Sequence, residues 1–173
     1  MKNEPRGLRN NNPLNIRYVE KNRWQGRVKT EDKKDQKFEE FVSLKWGFRA
    51  AFILLHNYTT LFGKRTIKDI ITTWAPPSDG NNTNNYIKHI CEDLSAADYC
   101  EIRFEDGTLM CGLVRAMARI EVGKSFELPI VMTGYYLACK SLGVKPNWYN
   151  TKFHEAIYED AKKLQEEYGT DLL

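Results

Sequence analysis

The sequence between Gly7 and Arg17, Gly-Leu-Arg-Asn-Asn-Asn-Pro-Leu-Asn-Ile-Arg, constrains the fold more than any other stretch of the chain. Asparagine side chains bond their own backbone and so compete with helix, while Pro13 drives Asn12 into an extended conformation. The stretch reads as a fixed polar turn that runs into a short extended segment, residues 14–17. Interior-seeking Leu14 and Ile16 alternate there with Asn15 and Arg17, a pattern that frayed tails rarely carry. An ordered, polar-lined loop is the expectation.

Composition narrows what surrounds that loop. A chain of 173 residues that is 42% apolar is long enough for one domain with a sizeable core. Its 26 Lys and Arg against 23 Asp and Glu give a spread net charge of +3, which suits an anionic polymer such as peptidoglycan and is too weak to imply nucleic acid. No basic n-region followed by an apolar h-region opens the sequence, and no apolar run approaches the ~20 residues of a bilayer span. The expectation is synthesis in the cytoplasm without a signal peptide and without a membrane span. Cys91, Cys100, Cys111 and Cys139 lack zinc or redox-pair spacing and read as buried free thiols, a disulfide staying open for a protein that works outside the cell. His56, His89 and His154 have no metal-ligand spacing, and neither a phosphate loop nor a serine nucleophile elbow occurs, so no metal or cofactor is expected.

Along the chain, residues 23–29 and 36–42 carry Trp24, Val28, Phe38, Phe41 and Val42 around a charged tract and read as a β-hairpin. Leu44, Phe48, Phe52, Leu55, Tyr58 and Phe62 fall at helical spacing and predict an amphipathic helix ending near Gly63. Thr66 can cap a shorter helix that Pro76 and Pro77 must end beyond Trp74. A polar loop, residues 78–83, leads to a helix from about Asn84 to Leu94 and then an irregular acidic connection, residues 95–106. Thr108 is expected to cap a helix with the stripe Leu109, Leu113, Ala116 or Met117, and Ile120; Pro129 opens another that stops at Gly143. A last helix would carry Phe153, Ile157, Ala161 and Leu164 opposite a charged face.

Glu121 is the residue best placed for chemistry. It lies four positions after Met117 and seven after Val114, which continues the buried side of its helix. It also lies in the last turn, before Gly123, where the helix dipole disfavours negative charge. Burial and dipole together favour the protonated form that a general acid needs. The competing structural role is an ion-pair partner, of Lys124 or Arg17.

Several segments resemble known families. Residues 6–26, with Trp24-Gln25-Gly26 at their end, resemble phage virion-associated and phage-like proteins that begin Arg-Gly-x-Arg-Asn-Asn-Asn-Pro-x-Asn-Ile-Arg; the similarity continues in residues 38–47 and 74–86. The layout also resembles the Asn-x-x-Gly-Ile-Lys and Trp-x-Gly region of lysozyme-like glucosaminidases, with Leu14 and Asn15 in place of the aromatic residue and Gly. Asn82-Thr83-x-x-Tyr86-Ile87-x-x-Ile90 is similar to the Glu-Thr-x-x-Tyr-Val-x-x-Val motif of lytic transglycosylases, whose Tyr faces the catalytic acid. Residues 116–123 resemble the lysozyme-superfamily helix that ends in Glu-Ser-Gly, with Val122 in place of Ser. In those enzymes the acidic helix precedes the other motifs, so the resemblance implies a circular permutation, an arrangement tolerated where termini lie close together.

These resemblances imply a mainly α (α+β) fold, a lysozyme-like helical domain with a small β-hairpin spanning residues 1–173. They imply cleavage of peptidoglycan glycan strands, as a muramidase or lytic transglycosylase, with Glu121 as the acid and Arg9, Asn12, Asn15, Trp24, Trp74, Thr83 and Tyr86 lining the groove. Sugar rings stack on aromatic faces and hydroxyls need fixed amide and guanidinium partners, which suits those residue types. Asp32, Asp35, Glu39 and Glu40 are candidates for a second carboxylate, or the substrate's N-acetyl group takes that part. The permutation further requires the Tyr86 hydroxyl within hydrogen-bond reach of Glu121, directly or through one water. The alternative is a non-catalytic virion structural protein or wall-binding module on the same scaffold, acting at the cell wall or with other virion proteins. A third reading is a regulatory helical domain that binds another protein.

Overall fold

A computed structural model of the chain describes residues 4–148. The helix expected around Phe153 and Leu164 lies outside the described residues. Within them the chain is mainly helical, with α1 at Arg6–Arg9, α2 at Leu44–His56, α3 at Ile67–Trp74, α4 at Thr83–Leu94, α5 at Gly107–Val122 and α6 at Leu128–Leu142. No described helix is long and apolar enough to cross a membrane.

The apolar spacing that starts at Leu44 does make α2, which buries Phe48, Phe52 and Leu55 against α6 in the most extensive packing of the molecule. Approach is close because α6 presents Gly134: a Cβ there would collide with Phe48 Cβ. Tyr135 of α6 stacks at a tilt on Phe52, with ring centroids 5.1 Å apart, and its hydroxyl donates to the Phe104 carbonyl at 2.7 Å. α5 is buried on most of its circumference, packs on both α4 and α6, and forms the centre of one continuous apolar core.

Three local expectations are corrected. The first is the hairpin, because no strand forms among the described residues. The run 37–42 instead shares its backbone groups between two neighbours: Tyr18 and Glu39 N–H bond to Lys37 and Ile16 carbonyls on one side, and Val28 and Val42 N–H bond to Glu40 and Gly26 carbonyls on the other. Each pairing stops at an isolated bridge, Arg17 with Phe38 and Arg27 with Phe41. The second concerns the end of α2, which widens into a π turn, Asn57–Leu61, with the Phe62 N–H bonded to the Asn57 carbonyl. The wider turn breaks the three-and-four spacing, and Phe62 is left 64% exposed rather than in the core. The third is the cap of α5: the helix starts at Gly107 with Asp106 in the N-cap position, and its first N–H is taken by the Asn147 carbonyl at 2.9 Å. Thr108 is therefore inside the helix and buried.

Other local signals behave as written in the chain. Thr66 accepts the Asp69 N–H at 3.0 Å and caps α3, which ends at Trp74 before the two prolines. Asn82 caps α4 by accepting the Asn85 N–H at 3.2 Å. All four cysteines are free, Cys111 and Cys139 buried and Cys91 and Cys100 half-buried.

Candidate functional site

The Asn-rich loop is ordered, and its amides divide the work of fixing it. Asn10 donates to Asp35 at 2.9 Å and Asn11 to the Phe41 carbonyl at 3.0 Å. Asn12, fully buried, accepts the Ile16 N–H at 2.9 Å and donates to the Ile16 and Glu39 carbonyls at 2.9 and 3.0 Å. Its carboxamide satisfies backbone that would otherwise be stranded in the core. Asn11 and Asn15 take left-handed backbone, φ 49° and 50°, which Asn tolerates better than most residues. The second of these turns delivers the Asn15 side chain to the end of α5.

Close approach of loop and helix depends on Gly7. A Cβ at that position would sit 2.7 Å from Val122 Cγ2, too near for any side chain. With Gly there, Asn15 Nδ2 reaches both the Glu121 backbone carbonyl, 3.4 Å, and its carboxylate Oε2, 3.3 Å. That carbonyl is one of the last four of α5, which a helix leaves without internal donors.

The other carboxylate oxygen faces α3 and α4. Oε1 of Glu121 accepts the Tyr86 hydroxyl at 3.1 Å and the Trp74 indole N–H at 3.2 Å. Tyr86 is buried, and burial together with the neighbouring Glu121 charge pushes its ionisation far upward, so it remains a phenol and a donor. Trp74 and Glu121 are half-buried. Tyr58, from the π turn region, packs its ring edge against Trp74 at a centroid distance of 6.3 Å, and burial raises its ionisation as well. The sequence places Tyr58 on a core stripe; its place beside the cluster follows from how α2 and α3 dock.

Glu121 forms no ion pair with any described Lys, Arg or His, and neither Lys124 nor Arg17 pairs with it. Its hydrogen bonds come from a neutral phenol, an indole and an amide. The carboxyl is thus half-buried and held in one orientation by neutral donors, with no described cation beside it.

Of the residues proposed from sequence, the structure brings Asn15, Trp74, Tyr86 and Glu121 together. Asn12 and Thr83 are placed differently. Thr83 is buried at the first position of α4, its hydroxyl donating to the Ala75 carbonyl at 2.5 Å, so it ties α4 to the end of α3. Asn12 is sealed inside the loop, so neither side chain lines a groove. Arg9 is exposed on α1, and Trp24 is half-buried against the core; neither bonds to Glu121. Three of the four candidate second carboxylates are engaged elsewhere. Glu39, fully buried, pairs with Arg27 at 2.9 Å, and burial raises it above the usual carboxylate range. Glu40 accepts the Lys34 N–H at 2.7 Å. Burial works to raise Asp35, but bonds from Asn10 and the Lys37 and Phe38 N–H groups, with the charge of Arg6, hold it below the usual range. Asp32 is exposed in a 3-10 turn, Thr30–Asp32.

No protein-family profile matches the chain. It is similar to Protein P5 of Pseudoalteromonas phage PM2, with 41% identity over 87 residues that cover 49% of this chain and 52% of that protein. The chain thus spans about half the length of the curated relative it matches, and that relative is a phage protein.

Proposed function

We propose that this protein cleaves peptidoglycan glycan strands, with Glu121 as the general acid of a circularly permuted, lysozyme-like site. The observation that carries the reading is the 3.1 Å bond between the Tyr86 hydroxyl and Glu121 Oε1, between residues 35 positions apart, in a carboxyl with no cationic partner among the described residues. In the reaction, Glu121 gives its proton to the bridging oxygen as the C1–O bond breaks. The substrate's N-acetyl group stabilises the positive charge at C1, and the Glu121 carboxylate then takes a proton from the hydroxyl that attacks C1. If that hydroxyl is water the product has a reducing end; if it is the sugar's own C6 hydroxyl the product is an anhydro sugar. Trp74, half-buried beside the acid, is suited to meet a sugar ring.

The experiment is incubation of the purified protein with sacculi and mass analysis of the muropeptides. Glu121→Gln is expected to reduce the cleavage rate ~100- to 10,000-fold, the usual contribution of a general acid. Its melting temperature should stay near that of the parent, because Gln keeps the acceptor for Tyr86 and Trp74 and no cation is stranded. Undiminished lysis by a folded Glu121→Gln protein would rule out Glu121 as the acid. The phage relative favours a second reading, a non-catalytic virion or wall-binding protein on the same scaffold. That reading predicts retention on sacculi by both proteins and no muropeptide release by either.

A further inference from the structure

The two oxygens of Glu121 are not equivalent. Oε1 faces two donors, the Trp74 indole N–H and the Tyr86 hydroxyl, at 3.2 and 3.1 Å. Oε2 faces only the Asn15 amide, at 3.3 Å. A protonated carboxyl carries its hydrogen on one oxygen, and that hydrogen cannot point at another donor hydrogen. A tyrosine hydroxyl can turn and accept instead, so Tyr86 alone would permit either oxygen to hold the proton. The indole Nε1–H has no such freedom, because it donates and never accepts, whereas the Asn15 carboxamide that faces Oε2 can turn to present its oxygen, which has no partner of its own, as an acceptor. Its ring is fixed at the last residue of α3 and braced by the edge of Tyr58.

We infer that Trp74 is a positioning residue for Glu121: its indole N–H holds Oε1 as an acceptor, so the acid proton resides on Oε2 and Oε2 is the oxygen presented to the glycosidic bond. This rests on the proposed general-acid role and assigns to Trp74 a task separate from sugar stacking. A proton delivered from the wrong oxygen would be displaced by the width of the carboxylate. Misplacement on that scale is enough to slow a positioned reaction ~100-fold.

The test is Trp74→Phe, which keeps an aromatic face for a sugar and removes the indole N–H together with the second ring. With sacculi or soluble glycan chains as substrate, kcat is expected to fall ~10- to 100-fold, with KM within about twofold of the parent. The melting temperature is expected to be close to the parent value. A raised KM with unchanged kcat would make Trp74 a binding residue only and overturn the inference. A parent-like kcat in Trp74→Phe, with Glu121→Gln inactive, would overturn the inference and leave the general-acid reading standing. Full activity of Glu121→Gln would remove both. A readout independent of lysis is the indole N–H signal in 1H–15N spectra, identified as the one that Trp74→Phe deletes. In Glu121→Ala that signal should shift and exchange faster with solvent, and an unmoved signal would overturn the assignment.

Discussion

At the scale of single residues, chemically similar side chains have separate fates, and the deciding quantity is which polar group would be left unpaired. Asn12 and Asn15 both belong to the Asn-rich loop, yet Asn12 is spent on the backbone of Ile16 and Glu39 while Asn15 faces a carboxylate on another element. Leaving a buried backbone group unsatisfied costs ~1 to 3 kcal/mol. Asn12→Ala strands the Ile16 N–H and the Glu39 carbonyl, the Ile16 carbonyl keeping the Glu39 N–H, and it is expected to lower the unfolding free energy by ~2 kcal/mol or more, read from urea melts with the m value unchanged. A stable Asn12→Ala protein with weakened sacculus binding would instead return Asn12 to the groove. The sequence makes the loop legible through Pro13 and the run of Asn, but it does not distinguish these two amides, because their difference lies in what packs against them.

At the scale of elements, local chemistry sets the ends and tertiary contacts adjust the rest. Thr66 and the prolines after Trp74 bracket α3, which matters because Trp74 is its last residue and carries a donor for Glu121. Thr66→Ala should cost ~1 kcal/mol of stability, the usual value of an N-cap, measured by thermal or urea unfolding. The π turn after α2 has no such local mark. Helical spacing continues through Tyr58 to Phe62, and only the wider turn after His56 sends Phe62 outward. The hairpin expectation fails for a related reason. Alternating apolar residues identify extended chain, but not whether its backbone groups form one ladder or are divided between two neighbours, as those of residues 37–42 are.

At the scale of the whole molecule, α5 runs through the core and places Glu121 at its end, among groups from the N-terminal loop, α3 and α4. The same packing protects two of the thiols. Burial pushes Cys139 up to about 12 and Cys111 well above its ordinary value, so little thiolate is present near pH 8. Iodoacetamide on the native protein is expected to label half-buried Cys100 and Cys91 first, and Cys111 and Cys139 only after unfolding, as mapped by peptide mass. Equal labelling of all four in the native state would contradict the packing of α5 on α6. The sequence by itself determined the polar loop, the cap of α3, the helical character of the chain and the candidacy of Glu121, because each follows from spacing and turn chemistry within a few residues; the Asn82 cap of α4 emerged only with the structure. It also carried, through resemblance, the expectation that Tyr86 and Glu121 meet. Only the tertiary structure decided that Asn15, Trp74 and Tyr86 bond to Glu121 across 106, 47 and 35 residues of chain, while Asn12 and Thr83 turn to backbone carbonyls. Periodicity reports which face of an element is apolar; the polar atoms that meet across elements depend on how those faces dock, and a bare Gly7 against Val122 sets that distance here.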